Sequence, residues 1–174
     1  MSKKREKTSI GSGDLLVCAP TGSGKTIAYV LPIIQALENR IIPQTRALIL
    51  LPSRDLALQV YNIFIDLLSS SSSSLHSPPL RVAICLGKSS FDQEHRNLLH
   101  PFPVDIIIST PGRLVDHLNA NLPLFHLQYL IIDEADRLLN VCTFYILFIP
   151  LSLLPSPFLA FSLFFWFNRG LKLM

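Results

Sequence analysis

Short, almost continuously apolar runs alternate along the chain with longer stretches whose apolar residues recur at helical spacing. Residues 15–19 (LLVCA), 47–51 (ALILL), 81–86 (RVAICL), 104–109 (VDIIIS) and 129–133 (YLIID) belong to the first kind. They predict strands covered on both faces, because a strand with one wet face alternates apolar and polar residues. Residues 25–39, 54–68, 90–99 and 112–120 predict helices. In the second of these, Leu56, Val60, Ile63, Phe64 and Leu67 fall on one face. Strands and helices taking turns, joined by right-handed crossovers, predict an α/β fold with a doubly wound, mostly parallel sheet. Ligands of such sheets bind at the carboxyl ends of the strands.

Two segments interrupt the pattern. The serine run at 69–74, followed by LHSPPL, predicts a loop, read as a surface insertion in preference to a phosphorylation site. Beyond residue 140 the chain turns rich in Phe and Leu, is broken by Pro150, Pro155 and Pro157, and carries no charge between Leu138 and Asn168. That tail accounts for the high apolar content of 49%. The formal charge of +3 is equally local: Lys3, Lys4, Arg5 and Lys7 against Glu6 supply all of it. Residues 1–9 are expected to form a flexible basic arm, with a nuclear-localisation or nucleic-acid contact as the sharper alternative. Cys18, Cys85 and Cys142 are odd in number and form no CxxC pair, which favours buried thiols in a reducing compartment. No hydrophobic signal core follows the charged start, which argues against secretion. His95 and His100 do not share a helical face, so no metal site is expected from the histidines.

Chemistry concentrates in two places. APTGSGKT, residues 19–26, stands between a predicted strand and a predicted helix. A glycine-rich turn there aims consecutive backbone N–H groups into one concavity, and the helix dipole adds to its attraction for phosphate. Ala19, Pro20, Thr21, Gly22, Ser23 and Gly24 would form the cradle. Lys25 would meet the β- and γ-phosphates, and Thr26 would offer a hydroxyl to Mg2+. At the other end, YLIIDEAD sets two acids where an apolar strand stops. Asp133 would hold the metal through water and Glu134 would orient or deprotonate the attacking water. Phosphoryl transfer needs such positioning and charge neutralisation more than covalent chemistry.

APTGSGKT at 19–26, PSRDLA at 52–57, TPGRLVDHL at 110–118 and LIIDEADRLL at 130–139 together resemble the motifs of the DEAD-box RNA helicases, in order and near their spacing. Ala19 at the head of the loop is that family's own form. LGKSS at 86–90 is similar to a segment of the subgroup associated with ribosome biogenesis, which implies a nuclear or nucleolar setting. The resemblance implies a RecA-like P-loop sheet over residues 10–140 that uses ATP and Mg2+ and separates RNA strands locally. It also implies that Pro52, Ser53, Arg54, Gly87, Thr110, Pro111, Gly112 and Arg113 hold the RNA backbone, and that Asp136 links the DEAD strand to neighbouring motifs. Charge from Arg54 and Arg113, and hydroxyls from Ser53 and Thr110, suit a backbone contact that carries no sequence information.

The chain also departs from that family. Its first glutamine is Gln35, so the adenine-reading glutamine upstream of the phosphate loop is missing. No serine–alanine–threonine motif follows Asp136, and no second RecA-like domain with an arginine finger is present. The expectation is a sheet incomplete at its C-terminal side, which binds ATP, hydrolyses it feebly and does not unwind RNA alone. Residues 141–174 stand outside the family pattern. An intron read in frame explains their composition best, since Val-Cys-Thr-Phe can be encoded by a donor-like GTA TGT ACT TTT. A membrane anchor and a packed core segment are the alternatives. The second functional reading is a non-catalytic protein that holds nucleotide or RNA, membrane-associated through the tail.

Overall fold

The computed structural model describes residues 8–10, 14–20, 22–70, 78–138 and 164–165. Its strands are β1 Thr8–Ile10, β2 Asp14–Leu16, β3 Ala47–Leu50, β4 Val82–Cys85, β5 Ile106–Ser109, β6 Tyr129–Ile132 and β7 Phe164–Phe165. Its helices are α1 Lys25–Leu37, α2 Arg54–Ser70, α3 Phe91–Leu99, α4 Pro111–Asn119 and α5 Ala135–Leu138. The strands form one sheet in the order β1-β2-β7-β6-β3-β5-β4, and only the β1–β2 pair is antiparallel.

The predicted coverage of both faces is borne out on β3, β5 and β6. By contrast, β4 at the sheet edge is only half-buried before Cys85, and residues 17–19 after β2 are half-buried or exposed. Along β3, Leu48 and Leu50 enter one core while Ala47 and Ile49 enter the other. Ile107 and its neighbours Ile106 and Ile108 divide in the same way on β5, as do Leu130, Ile132 and Ile131 on β6. The first core is closed by Leu98 of α3, Leu114 of α4 and Leu138 of α5, and the second by Val30 and Ile33 of α1 and Val60 and Phe64 of α2. Each aliphatic side chain so enclosed contributes about 1.5–3 kcal/mol. This two-sided burial explains the near-continuous apolar runs.

At the amino ends of the strands, Asp105 is fully buried and paired with Arg40, whose Nη2 lies 2.7 Å from its Oδ2. Asp105 also accepts the Arg81 N–H at 2.9 Å, and Arg40 donates to the carbonyls of Pro78 and Pro79. The opposite, carboxyl ends carry the sequence motifs. There the ladder continues one step beyond the strands, through Asp133 N–H to Leu50 O at 3.0 Å and Leu51 N–H to Ser109 O at 3.1 Å.

Several expectations need correction. Thr8–Ile10 is a strand, where a flexible arm over 1–9 was expected; its pairing with β2 supplies the backbone bonds that composition does not show, and residues 1–7 lie outside the described residues. Ser69 and Ser70 end α2 instead of opening a loop, because their hydroxyls donate to Asp66 O at 2.9 and 2.8 Å. The rest of the serine run lies outside the described residues. Cys85 is buried as expected, but Cys18 is exposed, because β2 ends at Leu16 and the chain there turns outward into the phosphate loop. Cys142 lies outside the described residues. Neither α5 nor β7 was predicted; β7 pairs with β2 and β6 in parallel. The remainder of the tail, and with it the intron and membrane-anchor readings, lies outside the described residues. Among the described residues no helix is long and apolar enough to cross a membrane.

Candidate functional site

The phosphate-loop residues stand where β2 hands over to α1. Gly24 occupies the N-cap of α1 at φ 82°, a left-handed conformation that a Cβ would strain, and Gly22 is at φ 77°. Ser23 N–H closes a turn on Pro20 O at 3.3 Å. The Lys25 ammonium folds over the loop, 3.3 Å from Ala19 O and 3.1 Å from Pro20 O. Thr21 lies outside the described residues. Gly22, Gly24, Lys25 and Thr26 line a cleft of about 510 Å³ together with Asp133, Glu134 and Asp136. The two motifs at opposite ends of the sequence therefore share one cavity, walled by Leu56, Gln59, Val60 and Ile63 of α2.

The acidic side of this cleft is tightly organised. Glu134 has φ 51°, a left-handed value for a non-glycine residue, costing on the order of 1 kcal/mol. That turn passes the chain from β6 into α5 and presents Asp133 and Glu134 on one wall. Asp133 Oδ1 accepts the Glu134 N–H at 2.9 Å, and its Oδ2 accepts the Tyr29 hydroxyl at 3.0 Å. Burial, then the Asp133 charge and hydrogen bond, hold the Tyr29 phenol well above its ordinary range, so it remains a donor. Arg137 Nη1 comes within 3.1 Å of Glu134 Oε2, an ion pair without hydrogen-bond alignment. The Thr26 hydroxyl and Asp133 carboxylate are hard oxygen donors facing one cavity, a set that fits Mg2+.

A second group converges beside the cleft. Ser53 caps α2 by accepting the Leu56 N–H at 3.4 Å. Thr110 is the N-cap of α4 without using its side chain as a cap, with Pro111 in the first turn. Pro52, one residue before the Ser53 cap, is half-buried, and Gly112, two residues after Thr110, is exposed. Gly87, at φ 70°, lies where a Cβ would sit 3.7 Å from both Arg54 Nη2 and Arg113 Nε. Arg54, Gly87 and Arg113, distant in sequence, thus meet on one surface.

Glu94 of α3 organises that surface. It accepts the Gly87 N–H at 2.9 Å, the Ser89 hydroxyl at 3.3 Å and Arg113 Nε at 2.7 Å. Burial pushes the Glu94 carboxyl up, but the bonds from Arg113 and Gly87 outweigh it and hold the group below its ordinary range. Arg113 also pairs with Asp116 at 3.4 Å and lies 5.2 Å from the Phe91 ring centroid. Beneath them His117 is buried, its Nδ1 3.2 Å from His95 Nδ1. Desolvation lowers His117, with the Glu94 bond opposing, so its imidazole is neutral at pH 7. Cys85, Glu94 and His117 place ligand atoms within 4.8 Å of one another. Arg113 already compensates Glu94, and burial pushes the Cys85 thiol up to about 12, which keeps it protonated. Sequence reading missed Tyr29, Glu94 and His117.

The sequence model of the DEAD/DEAH box helicase family matches residues 6–156. The chain belongs to this family. It is similar to the ATP-dependent RNA helicase DDX51 of Danio rerio, 43% identical over 151 residues covering 76% of this chain and 22% of that protein. The ATP-dependent RNA helicase DBP6 of Candida albicans is 48% identical over 129 residues, covering 74% and 20%. Among solved structures, the yeast DEAD-box splicing factor Prp28 superposes with a TM-score of 0.76 at 25% identity, over 91% of this chain and 37% of that one. A DEAD box protein from Methanococcus jannaschii gives 0.68 at 31% identity, over 86% and 38%. The chain spans about a fifth of the length of the curated relatives it matches. What it shares with other DEAD/DEAH box helicases is the RecA-like sheet and its carboxyl-end motifs.

Proposed function

We propose that this chain is the nucleotide-binding half of an ATP-dependent RNA helicase, which binds ATP with Mg2+ in the cleft and the RNA backbone on the adjoining surface. The observation that carries the reading is the meeting of Lys25, Thr26, Asp133 and Glu134 in one cavity. Residues 19–26 would cradle the phosphates and Lys25 would neutralise them. Thr26 and Asp133 would hold Mg2+, which when bound offsets phosphate charge as it develops. Glu134 would orient or deprotonate the attacking water, and Asp136 would tie the DEAD strand to its neighbours. Pro52, Ser53, Arg54, Gly87, Thr110, Pro111, Gly112 and Arg113 would carry the backbone contact. Supporting this, Arg54, Gly87 and Arg113 adjoin in space. A nuclear, ribosome-assembly setting rests on the segment at 86–90. The test is titration of the full chain with a fluorescent ATP analogue. Wild type should bind in a Mg2+-dependent manner and Lys25→Ala should not; equal binding by both would overturn the reading.

A further inference from the structure

The hydroxyl of Tyr29 is a polar atom on a side chain only 3% exposed, in a helix whose other buried positions are apolar. It donates to Asp133 Oδ2 at 3.0 Å, across 104 residues of sequence. Tyr29 stands one helical turn after Thr26 on α1. The buried phenol thus reaches Asp133 from the helix turn that begins with Thr26, and Thr26 and Asp133 line the same cleft. With Oδ1 held by the Glu134 N–H, both oxygens of Asp133 are fixed, and each keeps a lone pair for a metal-bound water.

We infer that Tyr29 is a positioning residue for the magnesium site, fixing the Asp133 carboxylate so that it and the Thr26 hydroxyl meet one hydrated cation. A phenylalanine would pack the same space and leave the carboxylate free to rotate about its remaining bond to Glu134. Groups behind metal ligands set their orientation, and their loss weakens metal affinity by roughly 10–100-fold. A purely structural tyrosine would behave otherwise, because its loss would lower stability without separating the metal from the nucleotide.

The deciding experiment compares Tyr29→Phe with wild type in the full chain and rests on the nucleotide-binding reading above. Binding of a fluorescent ATP analogue is followed as Mg2+ is titrated and again in excess EDTA, with urea unfolding alongside. Tyr29→Phe should raise the Mg2+ concentration for half-maximal binding by roughly 10-fold. Its EDTA affinity and urea midpoint should stay close to those of wild type. Unchanged Mg2+ dependence in Tyr29→Phe, with wild type still Mg2+-dependent, overturns the role of Tyr29 alone. Equal losses with and without Mg2+, or a large fall in the urea midpoint, also overturn it in favour of a packing role. A wild-type chain that binds no nucleotide overturns the functional reading and this inference with it.

Discussion

Replacing Glu94 by Gln separates two views of the surface formed by Arg54, Gly87 and Arg113. The carboxylate lies 2.7 Å from Arg113 Nε, and the two side chains are only 6% and 16% exposed. Removing one partner of a buried pair costs about 3–5 kcal/mol. Two features lower that figure here. Arg113 keeps Asp116 at 3.4 Å and the Phe91 ring, and the glutamine carbonyl still offers an acceptor to Gly87 N–H or to the guanidinium. A loss of about 2–3 kcal/mol is expected, which at about 2–3 kcal/mol per molar for urea moves the unfolding midpoint down by about 1 M.

The RNA measurement is the sharper half of the test. Long-range electrostatics alone predicts tighter binding by Glu94→Gln, because the substitution removes a negative charge beside a basic surface. The geometry predicts weaker binding, because Glu94 fixes the Gly87 amide and aims Arg113. Fluorescence anisotropy with a labelled single-stranded RNA, read beside urea unfolding of the same full-length preparation, distinguishes them. Tighter RNA binding with an unchanged urea midpoint would refute the organising role given to Glu94.

Two further expectations follow from the same region. Arg54 is exposed, so Arg54→Ala should leave the fold intact while reducing the slope of log affinity for RNA against log salt by about 0.7, measured by anisotropy across a salt series. Burial lowers His117 from 6.5, so the unfolded chain binds more protons once the pH falls below that value. Its contribution to stability is complete above about 6.5 and is lost on acidification towards the folded value; urea midpoints should show this slope, and His117→Gln should flatten it.

The central sheet was legible because burial on both faces leaves a simple mark. Every residue of β3 and of β5 is buried, and the sequence there is ALIL and IIIS. β1 and β7, of three and two residues, are too short to carry a pattern, and their place depends on pairing with β2 and β6. The ends of the motifs were legible for a different reason: glycine, lysine and acids in APTGSGKT and DEAD are costly choices in a core. Tyr29 was not, since at helical spacing it reads as one more buried aromatic and its partner is 104 residues away. Its place one turn after Thr26 was the available hint. Glu94 reads as a helix-surface acid, and only the fold brings it to Arg113.

Helix α2 belongs to both surfaces. Its first residue, Arg54, reaches the neighbourhood of Gly87, while Leu56, Gln59, Val60 and Ile63 wall the cleft that holds Lys25 and Asp133. Ala57, Val60 and Phe64 are buried against the sheet, and Ser53 fixes the start of the helix. A helix packed this closely transmits strain along its length, because the interior it packs against has low compressibility. Any displacement of α2 that widens or narrows the cleft therefore carries Arg54 with it, across a surface where Gly87 and Arg113 are tied to α3 through Glu94.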